Sequence, residues 1–269
     1  MTTTAKLLVG VGIPTGTSDD PLGESLAAEA AGYDFVSASD HPAGQTPSYE
    51  TPTLLTWIAA RTSRIAVATR VLGAPFRRPL MVAKAAESLQ RLSGGRLILG
   101  LGGGYLDDEI AAVGAPPLTP RQKVDGLAAA VETIRRGWSG DIAPTPAHPI
   151  PIWLGTYGPR ALAVTGRLAD GWIPSLGFAT PDRIPEMLER ILTAAVAAGR
   201  SPDAIRAVYN VPVTLGARAE EGTLGGSAAD VVEQLQSFTT LGFTGFNLMP
   251  SPESAAAVAA EVLPALRRC

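Results

Sequence analysis

A single (β/α)8 barrel, the TIM-barrel member of the α/β class, is the fold the sequence predicts, on three observations. Eight short apolar runs alternate with eight longer stretches rich in Ala and Leu. The runs are continuously apolar rather than alternating, as expected of parallel strands covered on both faces. The length, 269 residues, suits one barrel of about 250 residues, although two domains of ~150 residues would fit by length alone. A doubly wound sheet is the competing arrangement of the same alternation. No linker-like or low-complexity stretch divides the chain, so residues 1–269 read as one domain.

The predicted strands run Leu7 to Ile13, Phe35 to Ser39, Ile65 to Leu72, Leu97 to Leu101, Ile152 to Gly155, Gly171 to Pro174, Ala207 to Leu215 and Phe243 to Met249. Asp19-Asp20-Pro21 opens the first helix, which ends on Gly32. Thr51-Pro52, Arg78-Pro79, Thr119-Pro120, Gly158-Pro159, Thr180-Pro181, Ser227 and Ser251-Pro252 open the others. Proline suits the first helical turn, where its missing N–H has no intrahelical partner to lose. The Pro-rich segment from Asp141 to Pro151 reads as a loop before the fifth strand.

Charge is nearly balanced, 22 Lys plus Arg against 25 Asp plus Glu, for a net of -3. That is no electrostatic footprint for nucleic acid, which calls for a clustered basic face. The single cysteine, Cys269, allows no intrachain disulfide, so a cytoplasmic address is the default expectation. The apolar run near the N-terminus is too short for a signal peptide or a membrane span.

A barrel locates its site at the C-terminal strand ends without saying what the site does. Residue supply narrows the chemistry. The three lysines are Lys6, before strand one, and Lys84 and Lys123, inside helices, so none stands at a strand end as a Schiff-base lysine. His41 and His148 stand far apart in the sequence with no paired-histidine spacing, which argues against a metal centre. Only Asp40 sits clearly at a strand end, against paired glycosidase carboxylates. Cys269 is terminal and offers no nucleophile. The shortage points to a cofactor that carries the chemistry.

Four segments remain as candidates. Asp40-His41 at the end of strand two reads equally as an acid–base pair beside a ligand ring or as a loop cap with a structural histidine. Gly100, Gly102, Gly103 and Gly104 end strand four. Their spacing fails the G-x-G-x-x-G fingerprint, since Tyr105 or Asp107 stands where its third glycine belongs. They fit close approach to a planar ligand or a plain tight turn. Gly155-Thr156-Tyr157-Gly158 leads into a helix start, which with Arg160 makes an anion site. Arg70, Arg77 and Arg78 follow strand three, as solvated surface or as a grip on an acidic tail.

The ordered segments SDHP, ATRVLGAPFRRP, RLSGGRLILGLGGGYLDDE and PIWLGTYGPRALAVTGRLADGW resemble the bacterial luciferase-like monooxygenase family, in its branch using the deazaflavin coenzyme F420. The C-terminal GGSAADVVEQLQSFTTLGFTGFNLM resembles that family's last helix and strand. The resemblance spans nearly the whole chain and implies a ring bound at the C-terminal mouth of the barrel. It places Asp40 and His41 beside the ring and assigns Thr69, Arg70 and Val71 to a strand-three bulge behind it. That bulge carries a non-prolyl cis peptide, here between Arg70 and Val71. By the same resemblance Gly102, Gly103, Gly104 and Asp108 follow the cofactor's ribityl chain. Thr156, Tyr157, Gly158, Pro159 and Arg160 form its phosphate loop.

The sequence departs from the family at several points. The chain is shorter than many relatives, Gly126 stands where many carry an acid, and Tyr105 replaces an acid of the sugar-phosphate dehydrogenases. No lysine follows Lys123, which argues against a sugar phosphate. The expectation is an F420-dependent oxidoreductase moving a hydride to or from a small organic substrate, with His41 as the proton carrier. Reduction of an activated C=C or C=N bond, or alcohol oxidation, is the expected chemistry. Ile13, Tyr105, Trp172 and Met249 are the expected substrate contacts, and the resemblance implies a homodimer. The alternatives are an FMN-dependent two-component monooxygenase and a flavin-binding protein without catalysis.

Overall fold

The computed structural model describes residues 6–268; Cys269 and the first five residues lie outside them. In order, the elements are β1 (Leu8–Gly12), α1 (Pro21–Ala31), β2 (Phe35–Ala38), α2 (Thr51–Arg61), β3 (Ala66–Thr69), β4 (Leu72–Gly73), α3 (Pro79–Leu92), β5 (Leu97–Gly102), α4 (Asp107–Ala112) and α5 (Pro120–Arg136). There follow β6 (Ile152–Gly155), α6 (Pro159–Leu168), β7 (Gly171–Trp172), α7 (Ile184–Ala197), β8 (Arg206–Leu215), β9 (Leu224–Gly226), α8 (Ala228–Thr240), β10 (Gly245–Pro250), α9 (Ala255–Ala257) and α10 (Leu263–Arg267). All named strand pairs are parallel, in the order β10-β1-β2-β3-β5-β6-β7-β8. Pairing of β8 with β10 closes the ring into an eight-stranded barrel, which removes the doubly wound alternative.

The sequence signals place most elements. Asp20 caps α1 through Gly23 N–H, and Gly32 ends it in the left-handed region at φ 90°. Reciprocal capping boxes, Thr119 with Gln122 and Ser227 with Asp230, start α5 and α8. Three elements differ from the expectation. The third strand is two pieces, β3 and β4. Helix α7 starts at Ile184 rather than at Pro181, because residues 181–183 form a turn closed by Arg183 N–H on Thr180 O. Ser251-Pro252 likewise opens a turn, with helix only from Ala255. The short α4 and β9 are additional.

Two apolar layers hold the barrel. Between strands and helices lies the large core, including Val36, Leu55, Ile58, Leu99, Leu154, Trp172 and Leu248. Inside the barrel, Phe35, Ala68, Ile98, Trp153, Ile173 and Val208 form a separate plug. Gly10 makes room for it: a Cβ there would stand 2.3 Å from the Phe35 ring. Phe35 meets Trp153 edge to face at 5.6 Å, so the floor of the barrel is closed and its interior opens at the C-terminal mouth. Above the plug lies a polar row, in which Ser37 Oγ donates to Asn247 Oδ1 at 2.9 Å and Asn247 Nδ2 donates to Asn210 Oδ1 at 2.9 Å. Among the described residues no helix is long and apolar enough to cross a membrane.

Glu29 of α1 ties down the turn entering β3. Burial alone would raise its carboxyl, but the N–H groups of Ile65, Arg64 and Ser63 donate to it and hold it at about 2. The folded value lies below the ordinary 4.5, so the stability it adds is complete above that value and lost as pH falls through about 2. Replacing it, Glu29→Gln, should cost about 1 kcal/mol near neutral pH after allowance for solvent screening. Urea midpoints of the two proteins should converge as the pH is lowered. A gap that stays constant down to acid pH would show that the charge is not the source.

Candidate active site

The mouth is shaped by an interruption of the third strand. Val67 pairs with Leu97 and Ala68 with Ile98, whereas Leu72 pairs with Leu101 and Gly73 with Gly102. The third strand therefore carries one residue more than β5 over this span, a β-bulge. Thr69 bridges the lost ladder: its Oγ1 donates to Gly100 O at 2.7 Å and accepts from Gly100 N–H at 2.8 Å. The Arg70–Val71 peptide is cis, at the position the family resemblance implies. Val71 then leans over β5 and β6, where a Cβ at Gly102 would lie 2.7 Å from its Cγ2 and one at Gly155 3.4 Å away. At Gly100 a Cβ would meet Thr69 O at 2.0 Å. Much of the glycine run is thus demanded by the bulge itself.

Asp40 serves as an anchor. Arg77 grips it bidentately, Nη1 to Oδ2 at 2.7 Å and Nη2 to Oδ1 at 2.9 Å, and Gly73 N–H donates to Oδ2 at 3.0 Å. Arg77 also donates to Glu50 Oε1 from Nη2 at 2.7 Å. Burial would lower the Arg77 guanidinium, but these two carboxylates outweigh it and hold it above its ordinary value. The next residue, His41, lines the cavity at the mouth. His41 Nδ1 lies 3.0 Å from Oε1 of Glu109, which is buried on α4. A carboxylate only accepts, so Nδ1 carries the proton and Nε2 is the ring's second functional atom. The neutral ring takes a proton there and the charged ring gives one.

The cavity beside this pair holds about 450 Å3, within the range of small-molecule and cofactor sites. Tyr105 and Phe178 are exposed on its rim, with ring centroids 6.4 Å apart, and Phe178 lies 5.4 Å from Tyr157. Tyr157 Oη accepts from Ser175 N–H at 3.2 Å. Burial raises the Tyr157 hydroxyl, against the opposing pull of the Ser175 bond and of Arg70. On one wall the ten-residue helix α6 begins after Gly158 with no side chain capping it. Its first-turn N–H groups lack intrahelical acceptors, which favours an anion there.

Asp40, His41, Arg70, Val71, Gly102, Gly103, Gly104, Tyr105, Thr156, Tyr157 and Gly158 line this cavity. Seven other expected residues do not. Thr69 is occupied with Gly100, and Pro159 is the first residue of α6. Arg160 pairs with Asp125 on α5 at 2.5 Å, on the exposed outside. Asp108 is exposed, and its neighbour Glu109 takes the inward face of α4. Trp172 packs outward, stacked on Phe243, with its indole N–H on Thr156 O. Strand alternation turns Ile173 inward in its place. Ile13 is buried in the outer core, and Met249 stands against Gly12 outside the cavity. Glu109, Phe178, Ser175 and Asn210 also line it and are not among the expected residues. Only Glu109 carries a sequence signal, as the last acid of the Asp107-Asp108-Glu109 run.

Parallel closure, a plugged floor and an acid–base pair at the open mouth define a (β/α)8-barrel enzyme with its site at the strand C-termini. The profile of the luciferase-like monooxygenases matches residues 22–223, and the chain belongs to that family. It is 28% identical over 313 aligned positions to an F420-dependent glucose-6-phosphate dehydrogenase of Intrasporangium calvum, covering 90% of this chain and 93% of that protein. It is 33% identical over 224 positions to an F420-dependent hydroxymycolic acid dehydrogenase of Mycobacterium tuberculosis, covering 76% of this chain and 58% of that one. Its fold matches an F420-dependent secondary alcohol dehydrogenase solved with an F420-acetone adduct, at a TM-score of 0.86 and 17% identity over 97% of this chain and 99% of that one.

The Glu109 contact yields a prediction. Glu109→Gln preserves the shape but supplies an amide that donates as well as accepts, so the His41 ring loses its single preferred tautomer. Nitrogen-15 spectra of the ring should change from one Nδ1–H form to a mixture, and turnover should fall by about tenfold or more. An unchanged ring spectrum would remove Glu109 as the positioning residue.

Proposed function

We propose that this chain is a cytoplasmic coenzyme F420-dependent oxidoreductase that transfers a hydride between the deazaflavin ring and a small organic substrate. The observation that carries the proposal is the His41–Glu109 pair set at the rim of the cavity beside the Val71 bulge. Coenzyme F420, when bound, supplies a ring carbon that gives or accepts a hydride. The cavity fits such a group in volume, in its planar-sided Val71 and glycine wall, and in the uncapped start of α6 next to Gly158. Val71, Gly102 to Gly104 and the Thr156–Gly158 loop are the residues that would hold it.

His41 holds or moves the proton that accompanies the hydride, at Nε2, while Glu109 fixes the ring from Nδ1. Asp40 with Arg77 keeps the loop bearing His41 in place. Tyr105 and Phe178 offer apolar surface at the rim that suits an uncharged carbon skeleton, and such contact helps exclude water. Reduction of an activated C=C or C=N bond, or alcohol oxidation, is the reaction class we favour. A sugar phosphate is disfavoured by Tyr105, an exposed aromatic side chain at the rim where the resemblance puts an acid in the sugar-phosphate dehydrogenases. Pairing of two copies belongs to the same reading, supported by the exposed apolar side chains Trp57, Met81 and Leu92 of α2 and α3.

Parallel fluorescence titrations of the protein with oxidised F420, reduced F420 and FMN test this. F420 should bind at micromolar concentration or tighter, with FMN at least about tenfold weaker. His41→Asn should leave F420 affinity nearly unchanged and slow hydride transfer by about 100-fold or more. Tight FMN binding with weak F420 binding would replace the proposal with a two-component monooxygenase. Bound F420 without hydride transfer to any acceptor would favour a binding protein.

A further inference from the structure

Among the described residues, one charge at the mouth, that of Arg70, has no ion-pair partner. From the bulge, Arg70 reaches across to β1 and β10: its Nη2 lies 3.9 Å from where a Cβ on Gly12 would stand, and Met249 Cγ lies 3.2 Å from the same point. Nε is shut off from solvent without a hydrogen-bond partner. Among the described residues the guanidinium makes no ion pair. The other charged side chains lining the cavity are matched: Asp40 by Arg77, Glu109 by His41 and Lys123 by Asp107. The polar row beneath is satisfied within itself, Ser37 to Asn247 to Asn210. Tyr157, which also lines the cavity, uses its hydroxyl oxygen to accept from Ser175 N–H, which leaves its own O–H to donate.

A guanidinium does not shed its proton in a protein; Arg70 is half-buried, and burying its Nε without a hydrogen-bond acceptor is costly. Its planar fork suits two-point contact with a carboxylate or a delocalised oxyanion. A Cβ at Gly12 would press on Met249 Cγ at 3.2 Å and stand in ordinary contact with Arg70 Nη2 at 3.9 Å, so β1 presents bare backbone beside the guanidinium.

We propose that Arg70 is the recognition point for an anionic oxygen, of carboxylate or conjugated oxyanion type, on the molecule that fills the mouth. The inference deepens the reading of this mouth as the F420 and substrate site and rests on it for the identity of that molecule. The anion has two possible sources, a substrate carboxylate or an oxyanion of the cofactor, and the two are separable by experiment.

Wild type, Arg70→Lys and Arg70→Met are compared in three measurements. First, melting without ligand: Arg70→Met should melt higher than wild type, because the unanswered charge is gone, and an equal or lower melting temperature counts against the proposal. Second, calorimetric titration with the matched pair cinnamate and cinnamamide, with and without F420. Third, fluorescence titration with F420 alone. A substrate source predicts that wild type prefers cinnamate by about tenfold or more, corresponding to about 1.4 kcal/mol. Arg70→Met should abolish that preference, Arg70→Lys should retain part of it, and F420 affinity should hardly change. A cofactor source predicts at least a tenfold loss of F420 affinity in Arg70→Met with no carboxylate preference in any variant. If neither quantity responds to Arg70→Met, the proposal is overturned. If wild type fails to bind F420, the functional reading falls, while the cinnamate pair and the melting comparison still decide the role of Arg70.

Discussion

One extra residue in the third strand organises the mouth of this barrel. A parallel ladder cannot absorb an insertion without losing hydrogen bonds, and the chain compensates locally. Thr69 Oγ1 supplies both a donor and an acceptor to Gly100, replacing the ladder where the register changes. The change of register directs Val71 onto β5 and β6, and this sets the demand for small residues at 100, 102 and 155. It also directs Arg70 across the mouth. Glycines that read as a ligand cradle are therefore first a consequence of the chain's own packing, and the cradle is what remains above them.

Charge matching around this bulge separates structural from reactive groups. Asp40 is committed three times over, to two nitrogens of Arg77 and to Gly73 N–H, so it joins the end of β2 to β4 and to the loop before α3. Its neighbour His41 uses one ring nitrogen for Glu109 and leaves the other open toward the cavity. A fully satisfied carboxylate adjacent in sequence to a half-satisfied imidazole fixes the backbone from which the imidazole projects. Among the described residues Arg70 is the exception to this matching, and it lines the same cavity.

The repetitive part of the fold was legible in the sequence. Buried parallel strands have to be apolar throughout, and helix starts need caps or proline, so Leu97 to Leu101, Gly158-Pro159 and Thr119-Pro120 announce their elements directly. Site segments were legible at the same level: the stretches around residues 40, 70, 103 and 157 all reach the mouth. Individual side chains were less so. Asp108 and Glu109 are neighbours of the same charge, and about 100° of helical rotation decides which one meets His41. Trp172 ends the two-residue β7 and Ile173 follows it on the opposite face, and the larger ring is the one that faces away from the mouth. Phe178 and Ser175 sit in an irregular loop where no periodicity exists to be read.

By itself, the sequence determined the class of fold, the end of the barrel that carries the site, the absence of a resident nucleophilic cysteine or strand-end lysine, and the family whose motifs it shares. These follow from composition, period and order, which are properties of residues taken along the chain. The pairings were decided only in three dimensions: Arg77 with Asp40, Arg160 with Asp125, Glu109 with His41, and, among the described residues, Arg70 with no ion-pair partner. The physical reason is that a charged side chain selects its partner by distance and burial among groups brought together from different strands and helices. Sequence position sets which charges are available, and tertiary closure sets which of them meet.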